Sequence, residues 1–434
     1  MSRLNLSFWA IEVSRNLMIC PHVTSSVVFS SAHPSLLWPN SPAILRTPSG
    51  RLLVTFDVTG REAHSLLGDK TSQKKNSVGF ILASDDNGKT WRATGRFPFK
   101  HGIPFLCKGQ IYIFANDPDL VLFESMHDGE NWTGPYRLTS GQRWHGASTP
   151  VIRAADRIWI SCERYVSNQS RGWNVAALAP TLVWVNEEAT LTDPERWNMA
   201  SGPTLQEALG GEQGEGFGIP FYNTPLNRPL ELAPNRLCSA MGWLEGNLVH
   251  IHDPSHCWHD QTGLCLHLVL RTNLAGGSGY AGLLRGVRRG QDSVVVDFQK
   301  CPSGRKLVLF PFPGGHHKFF IVYDAQSRLY WLATNQSIDS LCQVQFLRKE
   351  RYNLPNNERH RLALYFSKNC FDWCFAGLVA RGETELESRH YPSMIVDGDD
   401  LLVVCRGGNA RSKNAQYSHM ILFFKVTDFR KLIY

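Results

Sequence analysis

An all-β architecture follows from three features of this 434-residue chain. Its composition favours short strands and turns. A two-run apolar pattern recurs along its length. One tight turn motif falls at the end of a recurring hairpin.

The composition combines 36 Gly, 23 Pro and 13 Trp. Many turn formers with abundant aromatics suit strands joined by turns and disfavour long helices. Hydrophobic residues make up 43% and charged residues 19%, enough to bury a large core and too apolar for a disordered chain. No apolar run approaches the roughly 18 residues that a membrane span needs. The net charge is +7, but the basic residues are dispersed, with small clusters only at Lys74-Lys75 and Arg285-Arg288-Arg289. A nucleic-acid partner would call for a basic stripe or tail, so none is expected. Eleven cysteines is an odd number, so at least one thiol has no partner within the chain; the length excludes a small secreted disulfide scaffold, and the spacings form no CxxC pair. The apolar stretch of the first 20 residues is interrupted by Glu12, Ser14 and Arg15. No clear signal peptide is read there, which leaves cytoplasmic and exported locations both open.

The recurring unit begins at 41–56, where two apolar runs flank a Pro-Ser-Gly turn, the pattern of a β-hairpin. It returns at 103–116, 149–164, 317–335 and 391–407, with a stretched copy at 242–271. Each copy precedes a second hairpin, at about 78–92, 120–134, 176–197, 279–300, 361–378 and 419–430. Two hairpins make four strands. Six such sets predict a six-bladed β-propeller of four-stranded antiparallel blades. The reading assigns 1–35 to an N-terminal extension and 36–434 to the propeller. Long connections at 57–77, 198–240 and 336–358 are where a rigid scaffold would carry a site.

Residues 84–91 read Ser-Asp-Asp-Asn-Gly-Lys-Thr-Trp, matching S-x-D-x-G-x-T-W at Ser84, Asp86, Gly88, Thr90 and Trp91. The Asp can accept turn N–H groups, the Gly supplies the turn backbone, and the indole packs between strands. Ser125, Gly129 and Trp132 form a degraded copy with His127 at the Asp position, and Ser367, Asn369 and Trp373 form a shorter one. This is the Asp box, and the chain resembles the sialidase superfamily of BNR-repeat proteins along nearly its whole length. It looks most like a bacterial, planctomycete-type group of sialidase-like proteins of unsettled substrate. The stretches 242–254, 312–324, 354–379 and 391–408 carry that likeness.

The resemblance implies a glycan or oligosaccharide substrate and no cofactor. Sialidases bind the sugar carboxylate with three arginines, attack with a Tyr paired to a Glu, and use an Asp as acid/base. Their first arginine lies in Arg-Ile-Pro. The matching stretch here is Asn40-Ser41-Pro42, so Asn40 replaces it. Tyr391 fits the nucleophile loosely, with Pro392 inserted before Ser393. Glu245 and Arg271 fit the order of the Glu and a following arginine. Asp57 and Asp69 are candidates for the acid, and Arg361 or Arg406 for the third arginine. A guanidinium–carboxylate contact is charge-assisted and bidentate, and Asn cannot supply it.

Other residues point elsewhere. His316, His317 and Lys318 follow Pro-Gly-Gly, where imidazoles could approach a ligand, or simply cap a turn. His145, Glu163 and Arg164 flank the third blade's first hairpin as possible substrate contacts. His250, His252, His256, Cys257, His259 and Asp260 form the densest metal-type cluster, but meet no ligand spacing, so no metal is expected.

The expected activity is therefore a sialidase-like glycoside hydrolase on an acidic or terminal sugar, working by retention through Tyr391 and Glu245. One alternative is a uronate lyase or single-His glycosidase built on His316 or His317 with Tyr391 and Arg406. Another is a non-catalytic glycan-binding propeller. The sequence does not fix an oligomeric state.

Overall fold

A computed structural model describes residues 19–434, except 62, 68–76, 168–172, 210–227, 234–235, 262–263, 275–278, 291–292, 341, 343–345 and 352. Six antiparallel sheets form a six-bladed β-propeller. Blade 1 runs Leu37–Arg46, Leu52–Gly60, Ser77–Ser84 and Arg92–Phe97 from the axis outward, and blade 2 runs Lys100–Cys107, Gln110–Asp117, Asp119–Met126 and Asn131–Arg137. In blade 3 the innermost strand is split into Trp144–His145 and Ile152–Ala154, both paired to Arg157–Tyr165. Blades 4 and 5 begin at Gly242–His250 and Phe320–Asp324.

Blade 6 contains Arg389–Asp397, Asp400–Gly407 and Met420–Val426, and its outer strand is Val23–Ser30 from the other end of the chain. The sequence reading had left these residues outside the propeller and sought a complete hairpin at 419–430. The segment 23–30 is short and polar on the solvent side, so its pattern does not reveal a strand. Pairing it with the last strand joins the two ends of the chain in one blade, closes the ring and covers the edge of that last strand.

The seams bury large side chains. Phe423 of blade 6 packs its ring 5.6 Å from Trp91 of blade 1, and a Cβ at Gly88 would lie 2.4 Å from the Phe423 ring. The turn beneath is closed by Asp86, which accepts from the Lys89 and Thr90 N–H groups, while Ser84 Oγ accepts from Gly88 N–H. In the turn after Ser367, Asn369 Oδ1 accepts from Phe371 and Asp372 N–H. Among the described residues no helix is long and apolar enough to cross a membrane.

Four innermost strands share an irregularity. Two residues, Ser41-Pro42, His101-Gly102, Glu245-Gly246 and Tyr391-Pro392, each sit in a register shift against the second strand. The first of each pair has positive φ, at 44°, 54°, 56° and 56°. Such bulges turn the side chain out of the sheet's alternation. Below them the axis is a channel of about 530 Å³ lined by apolar residues such as Ala43, Ile103, Leu248, Phe320 and Met394. Above them a polar funnel opens.

Phe423→Ala is expected to lower stability by about 3–5 kcal/mol, because it hollows the seam that closes the ring. Urea unfolding of the variant against the wild type checks this.

Candidate functional site

The funnel has a volume of about 660 Å³. Its floor is built by the bulges. Glu245 of blade 4 and Tyr391 of blade 6 point from their bulges toward one another, and Tyr391 Oη donates to Glu245 Oε1 at 2.9 Å. Arg271, from the second strand of blade 4, donates from Nη1 both to Glu245 Oε2 at 3.0 Å and to Tyr391 Oη at 2.9 Å. Its Nε donates to the His316 carbonyl at 2.9 Å. Glu245 and Arg271 are 2% and 4% exposed, so the pair is desolvated.

Burial would raise the Glu245 carboxyl, but Arg271, His145 and the hydrogen bonds from Arg271 and Tyr391 outweigh it, and its pKa lies below 4.5. The Tyr391 phenol is raised above 10 by burial and then by Glu245, against the pull of Arg271, Arg359 and Arg406. The resting pair is thus a carboxylate accepting from a neutral phenol.

Three guanidiniums surround the Tyr391 ring. Arg406 lies 5.4 Å, Arg359 5.8 Å and Arg271 5.9 Å from its centroid. Arg359 Nη1 bonds His390 Nδ1 and its Nη2 donates to Asn356 Oδ1, each at 3.0 Å. Arg406 Nη2 donates to the Gln416 carbonyl at 2.8 Å. The Nε atoms of both are buried without a partner. Burial depresses both groups, and for Arg359 the repulsion of Arg271 and Arg406 adds to it, bringing it to about 9. Arginine stays charged in proteins, so these depressions express the cost of burying like charges. An anion in the funnel would offset that cost.

The opposite wall comes from blades 1, 2 and 3. Asp57 is buried, accepting from His101 N–H at 3.1 Å, from Asn40 Nδ2 at 3.3 Å and from Ser77 Oγ at 3.5 Å. His145 Nδ1 lies 2.9 Å from Glu163 Oε2, and Glu163 Oε1 accepts from Gly246 N–H at 3.2 Å. His101 Nδ1 contacts Asn116 Oδ1 at 2.9 Å, and burial holds the ring's pKa near 4, so it is neutral. Tyr165, Trp173 and Tyr417 stand at the rim with Lys100 and Arg143.

The structure therefore brings together Tyr391, Glu245, Arg271, Arg406, Asn40, Asp57, His145 and Glu163. Asp69 lies outside the described residues. His316 and His317 are 1% exposed, share the Ser337 hydroxyl and sit behind Arg271, not in the funnel lining. Burial pushes His316 down to about 3 and His317 well below 6.5. The Pro-Gly-Gly turn folds these rings inward instead of presenting them. Lys318 is also buried; it donates to Ser148 Oγ at 3.2 Å and to the Pro392 carbonyl, and burial lowers it to about 7. It braces the Tyr391 bulge from beneath and does not reach the funnel.

Arg361 is not in the funnel lining; Arg359, two residues earlier, lies beside the Tyr391 ring but, like Arg271, behind the lining, so that of the three arginines around Tyr391 it is Arg406 that faces the funnel. Sequence reading missed Arg359 and His101. The signal for His101 is the residue-plus-Gly or residue-plus-Pro pair that opens most innermost strands. His250 and His252 line the channel, where His252 stacks on Tyr323 at 4.2 Å, while His256 and His259 contact the Asn369 and Ile251 carbonyls. Among the described residues no group of three or more His, Cys, Asp or Glu is disposed to hold a metal.

No family model and no curated protein matches this chain. Solved structures do. A protein of unknown function from Dyadobacter fermentans matches with a TM-score of 0.51 at 12% identity, over 93% of this chain and 99% of that one. The Trypanosoma rangeli sialidase in complex with sialic acid matches with a TM-score of 0.50 at 10% identity, over 96% of this chain. The chain spans 60% of that sialidase's length. At these identities the likeness is one of fold: this chain shares a propeller fold with these proteins.

Replacing Arg271 by Met leaves Glu245 buried without its counter-charge and is expected to cost about 3–5 kcal/mol in chemical denaturation. Because folding lowers the Glu245 pKa, its contribution is complete above the unfolded value near 4.5 and is lost as pH falls through the folded value. The stability gap between wild type and Glu245→Gln should therefore narrow as pH is lowered below 4.5. A pH series of urea melts reads it.

Proposed function

We propose that this protein is a retaining glycoside hydrolase of sialidase type, acting on a terminal anionic sugar of a glycan. The observation that carries this reading is the Tyr391–Glu245 hydrogen bond of 2.9 Å on a funnel floor ringed by three guanidiniums. A phenol is a weak nucleophile at its ordinary pKa and needs an adjacent base. Glu245 is placed to take its proton, and Arg271 to stabilise the phenolate that forms. Tyr391 Oη attacks the anomeric carbon. The glycosidic oxygen leaves with a proton from the opposite wall, and water then releases the sugar with retained configuration.

Arg406 faces the funnel and binds the sugar's carboxylate, with the charges of Arg271 and Arg359 behind it adding to the attraction. Arg406 comes from the blade that adjoins Asn40 across the ring closure, and it supplies the cation that Asn40 does not. The unpaired, buried guanidinium Nε atoms support an anionic ligand over a neutral one. The rim aromatics offer apolar faces with polar tips, suited to a sugar ring. The Ser84–Trp91 turn makes the hydrogen bonds expected of an Asp box, and the sialidase in complex with sialic acid shares the fold, both in keeping with this class. The burial of His316 and His317 disfavours the lyase reading.

Mass spectrometry of a panel of sialylated and uronate-bearing glycans after incubation with the protein tests the proposal. Products summing to substrate plus one water are expected, with Tyr391→Phe and Glu245→Gln both inactive. Arg406→Met is expected to weaken substrate binding by about 2–5 kcal/mol, seen as a raised KM. Products summing to substrate without water, or no product from any glycan, would overturn it.

A further inference from the structure

We infer that His145, held by Glu163, is the group that hands the proton to the leaving oxygen, an inference that rests on the hydrolytic reading above. Among the described residues, the funnel lining opposite Tyr391 offers Asp57, Asp117, His101 and His145 as groups able to carry a proton. Their surroundings differ. Both oxygens of Asp57 are engaged: Oδ1 accepts from the His101 backbone N–H, and Oδ2 from the Asn40 amide and the Ser77 hydroxyl. With both oxygens already accepting and the residue only 1% exposed, Asp57 is poorly placed to pass a proton to a substrate. Its evident work is to fix the backbone at the His101 bulge.

His145 is anchored from behind. Its Nδ1 faces the buried Glu163, and among the described residues its Nε2 has no hydrogen-bond partner while the ring lines the funnel. With Nδ1–H donated to a carboxylate, the proton that comes and goes is the one on Nε2; the tautomer is assigned from this partner. The neighbouring imidazole cannot share the task. Asn116 donates its amide to the Trp144 carbonyl, which turns its Oδ1 toward His101 Nδ1, and burial keeps His101 neutral. His101 is left as an acceptor at Nε2, 5.1 Å ring to ring from His145, suited to receive a sugar hydroxyl.

Glu163 also accepts from Gly246 N–H, the residue after Glu245. It is a positioning residue for both partners: one oxygen fixes the acid's ring, and the other fixes the bulge that carries the base. The reaction then balances. In the first step the Tyr391 oxygen bonds to the anomeric carbon, its proton passes to Glu245, and the glycosidic C–O bond breaks with its pair going to the leaving oxygen. That oxygen takes the Nε2 proton of His145, which enters the step as an imidazolium with its Nδ1–H held by Glu163. In the second step water attacks the anomeric carbon and gives a proton to His145 Nε2. The tyrosyl C–O bond breaks, and Tyr391 recovers its proton from Glu245.

The test compares leaving groups. Wild type, His145→Gln, Asp57→Asn and Asp69→Asn are assayed on dinitrophenyl and alkyl glycosides of sialic acid and of a uronic acid, with Tyr391→Phe as the control that loses both. A dinitrophenolate needs no proton to depart; an alkoxide does. His145→Gln is expected to fall about 10²–10⁴-fold on the alkyl glycoside and far less on the dinitrophenyl one. Added imidazole should partly restore His145→Ala, which also controls for misfolding. Equal losses on both glycosides, or the selective loss appearing in Asp57→Asn or Asp69→Asn, would overturn the assignment of His145 while leaving the hydrolase reading intact. A wild type that cleaves no glycoside of either leaving group overturns the hydrolase reading and this inference with it.

Discussion

The site depends on a bulge held shut by the neighbouring blade. A strand in regular alternation would send successive side chains to the two faces of its blade, into the seams. One extra residue within each of Ser41-Pro42, His101-Gly102, Glu245-Gly246 and Tyr391-Pro392 breaks that alternation and aims one side chain up the axis. A positive φ at a residue with a side chain costs on the order of 1–3 kcal/mol, and persists only where the surroundings enforce it. The surroundings here are polar clamps across the seams. Thr55 of blade 1 donates to the Gly102 carbonyl of blade 2, and Ser161 of blade 3 donates to the Gly246 carbonyl of blade 4. Lys318 of blade 5 donates to the Pro392 carbonyl of blade 6. In two of the bulges the residue after the strained one is Gly for a steric reason: a Cβ at Gly246 would lie 2.9 Å from the Leu270 side chain, and one at Gly102 2.7 Å from the Phe99 ring.

Those clamps make the electrostatics of the floor possible. Burying Arg271, Arg359 and Arg406 around one tyrosine opposes stability, since desolvation and like-charge repulsion act together. Only Arg271 has a carboxylate within reach among the described residues. The remaining positive charge is held by backbone and amide acceptors, which satisfy geometry without cancelling charge. A floor of this kind is poor as a core and well suited to an anion. The same preorganised charge that attracts the ligand would stabilise a phenolate on Tyr391, so binding and nucleophile activation draw on one cluster.

The propeller was legible because its signals are local. Paired apolar runs and the Ser84–Trp91 turn each lie within about 20 residues, and repetition multiplied them. The closing strand Val23–Ser30 was not legible, because its partner lies some 400 residues away and its own face is mostly polar. Tyr391, Glu245 and Arg271 could be ordered along the chain by resemblance, yet their meeting depends on bulges that no periodicity shows. Arg359 escaped for a related reason. It lies just before its strand, and Arg361, inside the strand, looked the better placed. His316 and His317 misled in the opposite sense: glycines before a polar cluster suggest exposure, but here they let the chain turn inward. A Cβ at Gly315 would meet the Tyr280 backbone at 2.4 Å.

Glu163 joins the two walls of the funnel directly. Glu163 touches His145 with one oxygen and the Gly246 amide with the other, and Gly246 follows Glu245. A shift of blade 3 against blade 4 would therefore move the ring of one wall and the bulge of the other together. In a propeller each functional group comes from a different sheet, so relative blade motion is the main threat to geometry. Sharing one buried carboxylate between blades converts that threat into a concerted displacement. The tyrosine on blade 6 is tied to the same unit through Arg271, which bonds both Tyr391 and Glu245. Blades 3, 4 and 6 thus meet at one hydrogen-bonded chain running from His145 through Glu163, the Glu245 bulge and Arg271 to Tyr391. The rest of the ring serves to keep that chain at constant length.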